Sequence, residues 1–177
     1  MMPKAAPFGY ELEVALERSD IRKNELARET NTPQTTISTY IGGGNLRADK
    51  AAEMVDLIPD NQLKADFSWK YGGFIKTMDG ALNDVMTPFE LNYFEDKETK
   101  EREERRDKAK EILLKAKMDT LDQADKEDLE DYVMQFLDEI VVELSIVFSI
   151  LKILGMTITE AFNKRMPHWI KKKYMKG

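Results

Sequence analysis

Apolar positions recur at three- and four-residue spacings along nearly the whole chain. No stretch alternates apolar and polar residues with the β-branched enrichment of a strand, so the pattern predicts an all-α fold. A first helix is expected over about residues 8–19, with Tyr10, Leu12, Val14, Ala15 and Leu16 as its apolar side. Two short helices follow, near 23–30 and 33–41, separated by Asn31-Thr32. Thr32 is expected to cap the second, because its hydroxyl can accept from a free N–H and Pro33 suits the first helical position. Gly42-Gly43-Gly44 ends that helix. A fourth helix, about 46–58, carries Ala48, Ala51, Ala52, Val55 and Ile58. Pro59 stops it, and Asp60 caps a fifth helix over about 61–78, weakened at Gly72-Gly73.

A hinge is expected after Asp79-Gly80, and it divides the chain into an expected domain at 1–80 and a second at 81–177. Thr87 and Glu90 have capping-box spacing around Pro88 and open the next helix. Residues 95–107 are dominated by charge and are expected as solvated helix or connector, with apolar spacing returning at Ile112, Leu113 and Ala116. A loop at 119–125 leads to the most apolar helix, about 126–154, closed by Gly155. Thr157 and Glu160 then cap a short helix ending near Met166-Pro167. Along the long helix Asp131, Gln135, Asp138, Ser145, Ser149 and Lys152 fall near one line, while Tyr132, Val133, Phe136, Leu137, Ile140, Val141, Leu144, Val147, Phe148, Ile150 and Leu151 cover most of the rest. A helix so widely apolar must be surrounded, so the second domain is expected to form a homodimer.

Composition narrows the chemistry. The 177 residues are 42% hydrophobic and 34% charged, which excludes a wholly disordered chain. There is no cysteine, and His168 is the single histidine, so thiolate and histidine-rich metal centres are excluded; no metal, cofactor or catalytic residue is expected. No basic start precedes an apolar run at the N-terminus, and the apolar stretch at 140–155 is interrupted by Glu143 and Lys152. A cytoplasmic protein without a membrane span is therefore expected. The net charge of -6 hides an asymmetry: residues 98–143 carry -7 and residues 144–177 carry +6. The basic end, Lys164, Arg165, Lys171, Lys172, Lys173 and Lys176 with Trp169 and Tyr174 among them, can pair with the acidic stretch within one molecule or across a dimer.

One run departs from the rest. From Thr30 to Leu46 there is no charged residue, and the second short helix offers Gln34, Thr35, Thr36, Ser38 and Thr39. A glutamine amide can bond adenine at two points, and threonine offers a hydroxyl plus a methyl suited to thymine; acidic groups there would repel phosphates. Arg22, Lys23, Asn45 and Arg47 flank the run and suit phosphate contact.

Residues 23–40, KNELARETNTPQTTISTY, resemble the helix-turn-helix of the lambda-repressor/Cro family of phage and bacterial regulators. The likeness lies in Leu26-Ala27, the turn at Asn31, and the inward positions Ile37 and Tyr40. Ala27 must be small where the helices cross, Ile37 fills the space beneath them, and Asn31 replaces the family's usual glycine at a left-handed turn. Thr32 departs from the common aliphatic residue. With its flanking helices the likeness covers about 55 residues. It implies a phage or mobile-element regulator, a repressor type, that binds double-stranded DNA through base contacts from Gln34, Thr35, Thr36, Ser38 and Thr39, with dimerisation from the C-terminal helices.

Two other classes compete. Glu139 and Glu143, one turn apart, could hold magnesium with Glu127, Glu130 or the pair Glu101 and Glu104, faintly resembling the all-α nucleotide pyrophosphatases; the second acidic motif of that family is absent, Val142 standing where a carboxylate is wanted. Alternatively the acidic C-terminal domain engages a protein partner, in an arrangement resembling anti-CRISPR inhibitors that join a self-regulating helix-turn-helix domain to an unrelated helical one.

Overall fold

The computed structural model describes residues 5–74, 76–80 and 86–176, and the expected hinge beyond Gly80 falls largely outside them. The described chain is mostly helical. By internal contacts it forms two compact units, residues 1–77 with 151–177, and residues 78–150. The carboxy-terminal segment thus groups with the first unit.

In the first unit β1 (Ala5–Pro7) precedes α1 (Gly9–Arg18), α2 (Lys23–Glu29) and α3 (Gln34–Ile41). Then come β2 (Asn45–Arg47), α4 (Ala48–Leu57) and α5 (Asn61–Gly72). The two strands pair antiparallel, with Ala6 opposite Leu46. They correct the sequence reading, which placed Leu46 inside a helix. Segments three residues long are too short to display a period of two, and what fixes them is that Leu46 and Ala6 are both buried.

Thr32 is a second correction, because α3 is entered through Pro33 with no side-chain cap. Asn31 takes a left-handed φ of 47°, which turns Thr32 inward. Its hydroxyl donates to the Thr30 carbonyl at 3.1 Å, and Pro33, one residue further on, stands at the cap position instead. Asp60 does cap α5, accepting from the Leu63 N–H at 2.7 Å while holding the Arg18 guanidinium through two bonds of 2.8 and 2.9 Å. Helix α5 ends at Gly72 instead of continuing to Met78. Gly73, at φ 66°, closes it, and its N–H donates to the Trp69 carbonyl at 2.8 Å.

Phe8, Leu12, Leu26, Ile37, Leu46, Met54, Ile58 and Leu63 form one buried core. An aromatic group seals one side of it: the Phe8 ring meets Phe67 and Tyr71 edge-on at 6.3 and 5.6 Å. The Tyr71 hydroxyl donates to the Leu46 carbonyl at 2.8 Å, tying α5 to β2. Burial, followed by the charge of Glu11, pushes the Tyr71 phenol up to about 12.

The same unit contains α8 (Ile158–Lys171). Its Thr157–Glu160 capping box is formed as expected. Asn61 receives the start of α8, donating to the Met156 carbonyl at 3.3 Å and accepting from the Ile158 N–H at 2.7 Å. The helix passes through Pro167 instead of stopping there. A proline costs a helix one backbone hydrogen bond and a steric conflict one turn back. Here the Phe162 and Trp169 rings, 5.3 Å apart, span that break.

The second unit holds α6 (Pro88–Lys117) and most of α7 (Gln123–Ile153). Thr87 and Glu90 form the expected capping box at the start of α6. The charged stretch 95–107 is continuous helix. Helix α7 starts three residues earlier than the periodicity suggested, because Asp122 and Asp125 accept from each other's N–H at 2.8 and 3.2 Å. The helices run antiparallel: Leu91 packs with Val142 and Ile146, Lys108 pairs with Asp128 at 2.7 Å, and Lys115 with Asp125 at 2.7 Å. Ser145, placed by the sequence on an outer polar line, is instead buried; it accepts from the Met78 N–H at 3.1 Å and donates to the Val141 carbonyl at 2.8 Å. Among the described residues no single helix is long and apolar enough to cross a membrane.

Gly9 stands against the end of α3. A Cβ there would lie 2.0 Å from the Tyr40 carbonyl oxygen and 2.7 Å from the Ile41 Cα. Backbone cannot yield as a flexible side chain can, so Gly9→Ala is expected to destabilise the fold by about 1–3 kcal/mol, read as a lower urea midpoint at unchanged slope.

Candidate nucleic-acid interface

Helices α2 and α3 are joined by Thr30 to Pro33, and their relation is set from inside. Leu26 and Ile37 are buried in the common core, and Ala27 and Tyr40 pack against it. The Thr32 N–H donates to the Ala27 carbonyl at 2.9 Å, a bond that the left-handed Asn31 makes geometrically accessible. With Ile37 held inward, the neighbouring positions of α3 turn outward.

Gln34, Thr35, Ser38 and Thr39 are exposed, and Thr36 is half-exposed. The Thr39 hydroxyl donates to the Thr35 carbonyl at 2.9 Å, leaving its lone pairs and methyl available. Among the described residues Gln34, Thr35, Thr36 and Ser38 make no side-chain hydrogen bond. The helix therefore presents uncommitted amide and hydroxyl groups together, with no charge of its own.

The flanking cations differ in state. Arg22 is exposed at the entry to α2 and makes no ion pair among the described residues. Lys23 is paired with Glu13 at 3.1 Å. Arg47 donates to both oxygens of Asp49 at 3.0 and 2.9 Å; this raises the Arg47 guanidinium above its ordinary value and lowers the Asp49 carboxyl. Asn45 is exposed on β2. Sequence spacing placed all four near the helix, but it carried no sign of the Glu13 and Asp49 partners. Glu13 lies on another helix, and the Arg47–Asp49 pair depends on the turn from β2 into α4.

Carboxylates gather at one other place. Glu95, Glu139 and Glu143 bring one oxygen each within 4.8 Å of one another. Glu127, Glu130, Glu101 and Glu104, the partners read from the sequence, do not join them; the antiparallel register of α6 on α7 brings up Glu95 instead. Arg102 bonds both oxygens of Glu139 through its Nε and Nη2, and Thr99 donates to Glu139 at 2.6 Å. Phe136 lies under the Arg102 guanidinium at 4.7 Å. Burial opposes the charge on Glu139, yet the bonds from Arg102 and Thr99 outweigh it and hold the carboxyl below its usual range. Both Glu139 oxygens are engaged by the Arg102 guanidinium, so within this cluster Glu139 stands as half of an internal ion pair.

No protein-family model, curated protein or solved structure matches the chain.

Glu143 is left over from that pairing. Burial, then the Glu139 and Glu95 carboxylates, push it above its ordinary value. A carboxyl raised in the folded chain binds its proton more tightly there than when unfolded, so its ionisation costs stability above that pKa and nothing once it is protonated. Glu143→Gln is therefore expected to raise the melting temperature slightly at pH 7. The gain should shrink to nothing as the pH falls below about 4, where glutamate is protonated in both states.

Proposed function

We propose that the chain is a sequence-specific DNA-binding transcription regulator that places α3 in the major groove of double-stranded DNA and acts as a homodimer through its C-terminal helices. The observation that carries the reading is the outward, uncharged and uncommitted set Gln34, Thr35, Thr36, Ser38 and Thr39, standing behind a left-handed Asn31 and over a buried Ile37. Base edges are read by groups of this kind, and a carboxylate among them would be repelled by phosphate. Arg22 is the cation ready for a phosphate, while Lys23 and Arg47 must first exchange Glu13 and Asp49 for one. The resemblance to phage repressors gives the reading its biological setting, a regulator that acts at its own operator.

The test begins with DNA from upstream of the protein's own coding sequence, or with DNA selected from a random pool. Gln34→Ala is expected to weaken specific binding by about 1–3 kcal/mol and to relax the preference at one base pair. Unchanged operator binding in the Gln34→Ala/Thr35→Ala double variant would reject α3 as the reading helix. Asp49→Asn releases Arg47, so it is expected to tighten binding to all sequences alike and to steepen the dependence on salt by about one counterion.

A further inference from the structure

The hairpin of α6 and α7 buries few apolar side chains for its length. Toward α6, helix α7 turns Asp125, Asp128 and Glu139 as well as Val142 and Ile146, and among the described residues of the second unit the other buried apolar side chains of the two helices are Leu91, Ala109 and Ile112. Away from it, large apolar side chains stand in the open. Val133 is 50% exposed, Leu137 48%, Ile140 39% and Val147 40%, with Leu144 half-buried between them. These five positions are spaced four, three, four and three residues apart, the alternation of a coiled-coil seam, and they form one stripe along the helix.

Two features say what covers the stripe. Its spacing is nearly the same read in either direction from Ile140, with Val133 and Val147 seven residues to each side. A heptad stripe of that kind can meet its own copy in either direction, and run antiparallel it places Ile140 on the two-fold axis. Charge selects between the two directions. The first part of α7 carries Asp125, Glu127, Asp128, Glu130 and Asp131 against Lys126, whereas from Leu144 to Ile153 the sole charge is Lys152. A parallel pair would set acidic end on acidic end; an antiparallel pair sets each acidic end against the apolar, Lys152-bearing half of the other copy. The area is adequate too. Val133, Met134, Phe136, Leu137, Ile140, Val147 and Ile150, each credited with half of roughly 150 Å², expose on the order of 500 Å², most of the roughly 800 Å² per partner of a stable interface before its polar rim is counted.

We infer that a second copy of this chain covers the stripe, with the two α7 helices antiparallel about Ile140. This rests on the dimer half of the proposed reading and gives it a register. The absence of native cysteine makes the register directly measurable in the full-length chain, without DNA. Under mild oxidation Ile140→Cys is expected to form a disulfide-linked dimer, because the two copies meet there. Val133→Cys alone is expected to stay unlinked, since its two copies would lie about 21 Å apart along the helix. A mixture of Val133→Cys with Val147→Cys is expected to link. Ile140→Asp is expected to weaken the sedimentation-equilibrium dimer by at least about 100-fold at unchanged helix content. Self-linking of Val133→Cys would overturn the inference in favour of a parallel pair. A chain monomeric at tens of micromolar that links at none of these positions would overturn it in favour of a different macromolecule on the stripe. A dimer of the stated register that shifts no DNA would reject the operator reading alone, and a DNA-shifting monomer would reject the seam alone.

Discussion

Leu26 and Ile37 must reach the same core from two consecutive helices, and the first unit is organised around that requirement. The chain can satisfy it only by reversing within the few residues between α2 and α3, which is what the left-handed Asn31 accomplishes. Asparagine tolerates that conformation better than other residues bearing a Cβ, because its short side chain can bond locally. Once Ile37 is fixed inward, helical geometry decides the rest: Gln34, Thr35, Ser38 and Thr39 have nowhere to point but out. Gly9 reinforces this from the other end. Its missing side chain lets the start of α1 press on the Tyr40 carbonyl, so the end of α3 is held by backbone contact.

The second unit solves a different problem. Between its two long helices, ion pairs run beside a modest set of buried apolar residues, Leu91, Ala109, Ile112, Val142 and Ile146. Lys108 with Asp128 and Lys115 with Asp125 lie beside the connecting loop, and Arg102 with Glu139 midway. Exposed pairs contribute little each, typically below about 1 kcal/mol. The Arg102–Glu139 pair is the stronger feature, being largely shielded, bidentate and backed by the Phe136 ring. A hairpin with so small an apolar seam is a weak folding unit by itself, and it leaves its richest hydrophobic surface facing away. Both facts are relieved together if folding is completed by association.

The helical character and most of the stops could be read from the residues themselves. Asp60, the two capping boxes, Gly155 and the turn at Asn31 are local devices, each settled by a few neighbouring atoms. What escaped depended on distant parts of the chain. The β1–β2 pairing joins segments some forty residues apart and too short to carry a period. Ser145 reads as an outer polar residue until the Met78 N–H arrives to bond it. Pro167 reads as a stop until Phe162 and Trp169 meet across it. At the candidate interface the outward set of α3 was legible, because it needed only helical geometry and one buried isoleucine. The engagement of Lys23 and Arg47 was not, since Glu13 and Asp49 reach them only in the folded chain.

That engagement bears on how an acidic protein could hold DNA. Non-specific affinity comes from cations that displace counterions from phosphate. Here two of the three candidate cations are held by carboxylates of the same chain, and the net charge is -6. A single copy would therefore grip the backbone weakly and depend on base contacts from α3. Weak individual contacts become effective when two are joined, because the second binding step is then intramolecular and proceeds at a high effective concentration. On this account the scarcity of free cations near α3 and the apolar stripe on α7 are complementary: the first suppresses indiscriminate binding, and the second supplies the pairing that makes discriminating binding strong enough.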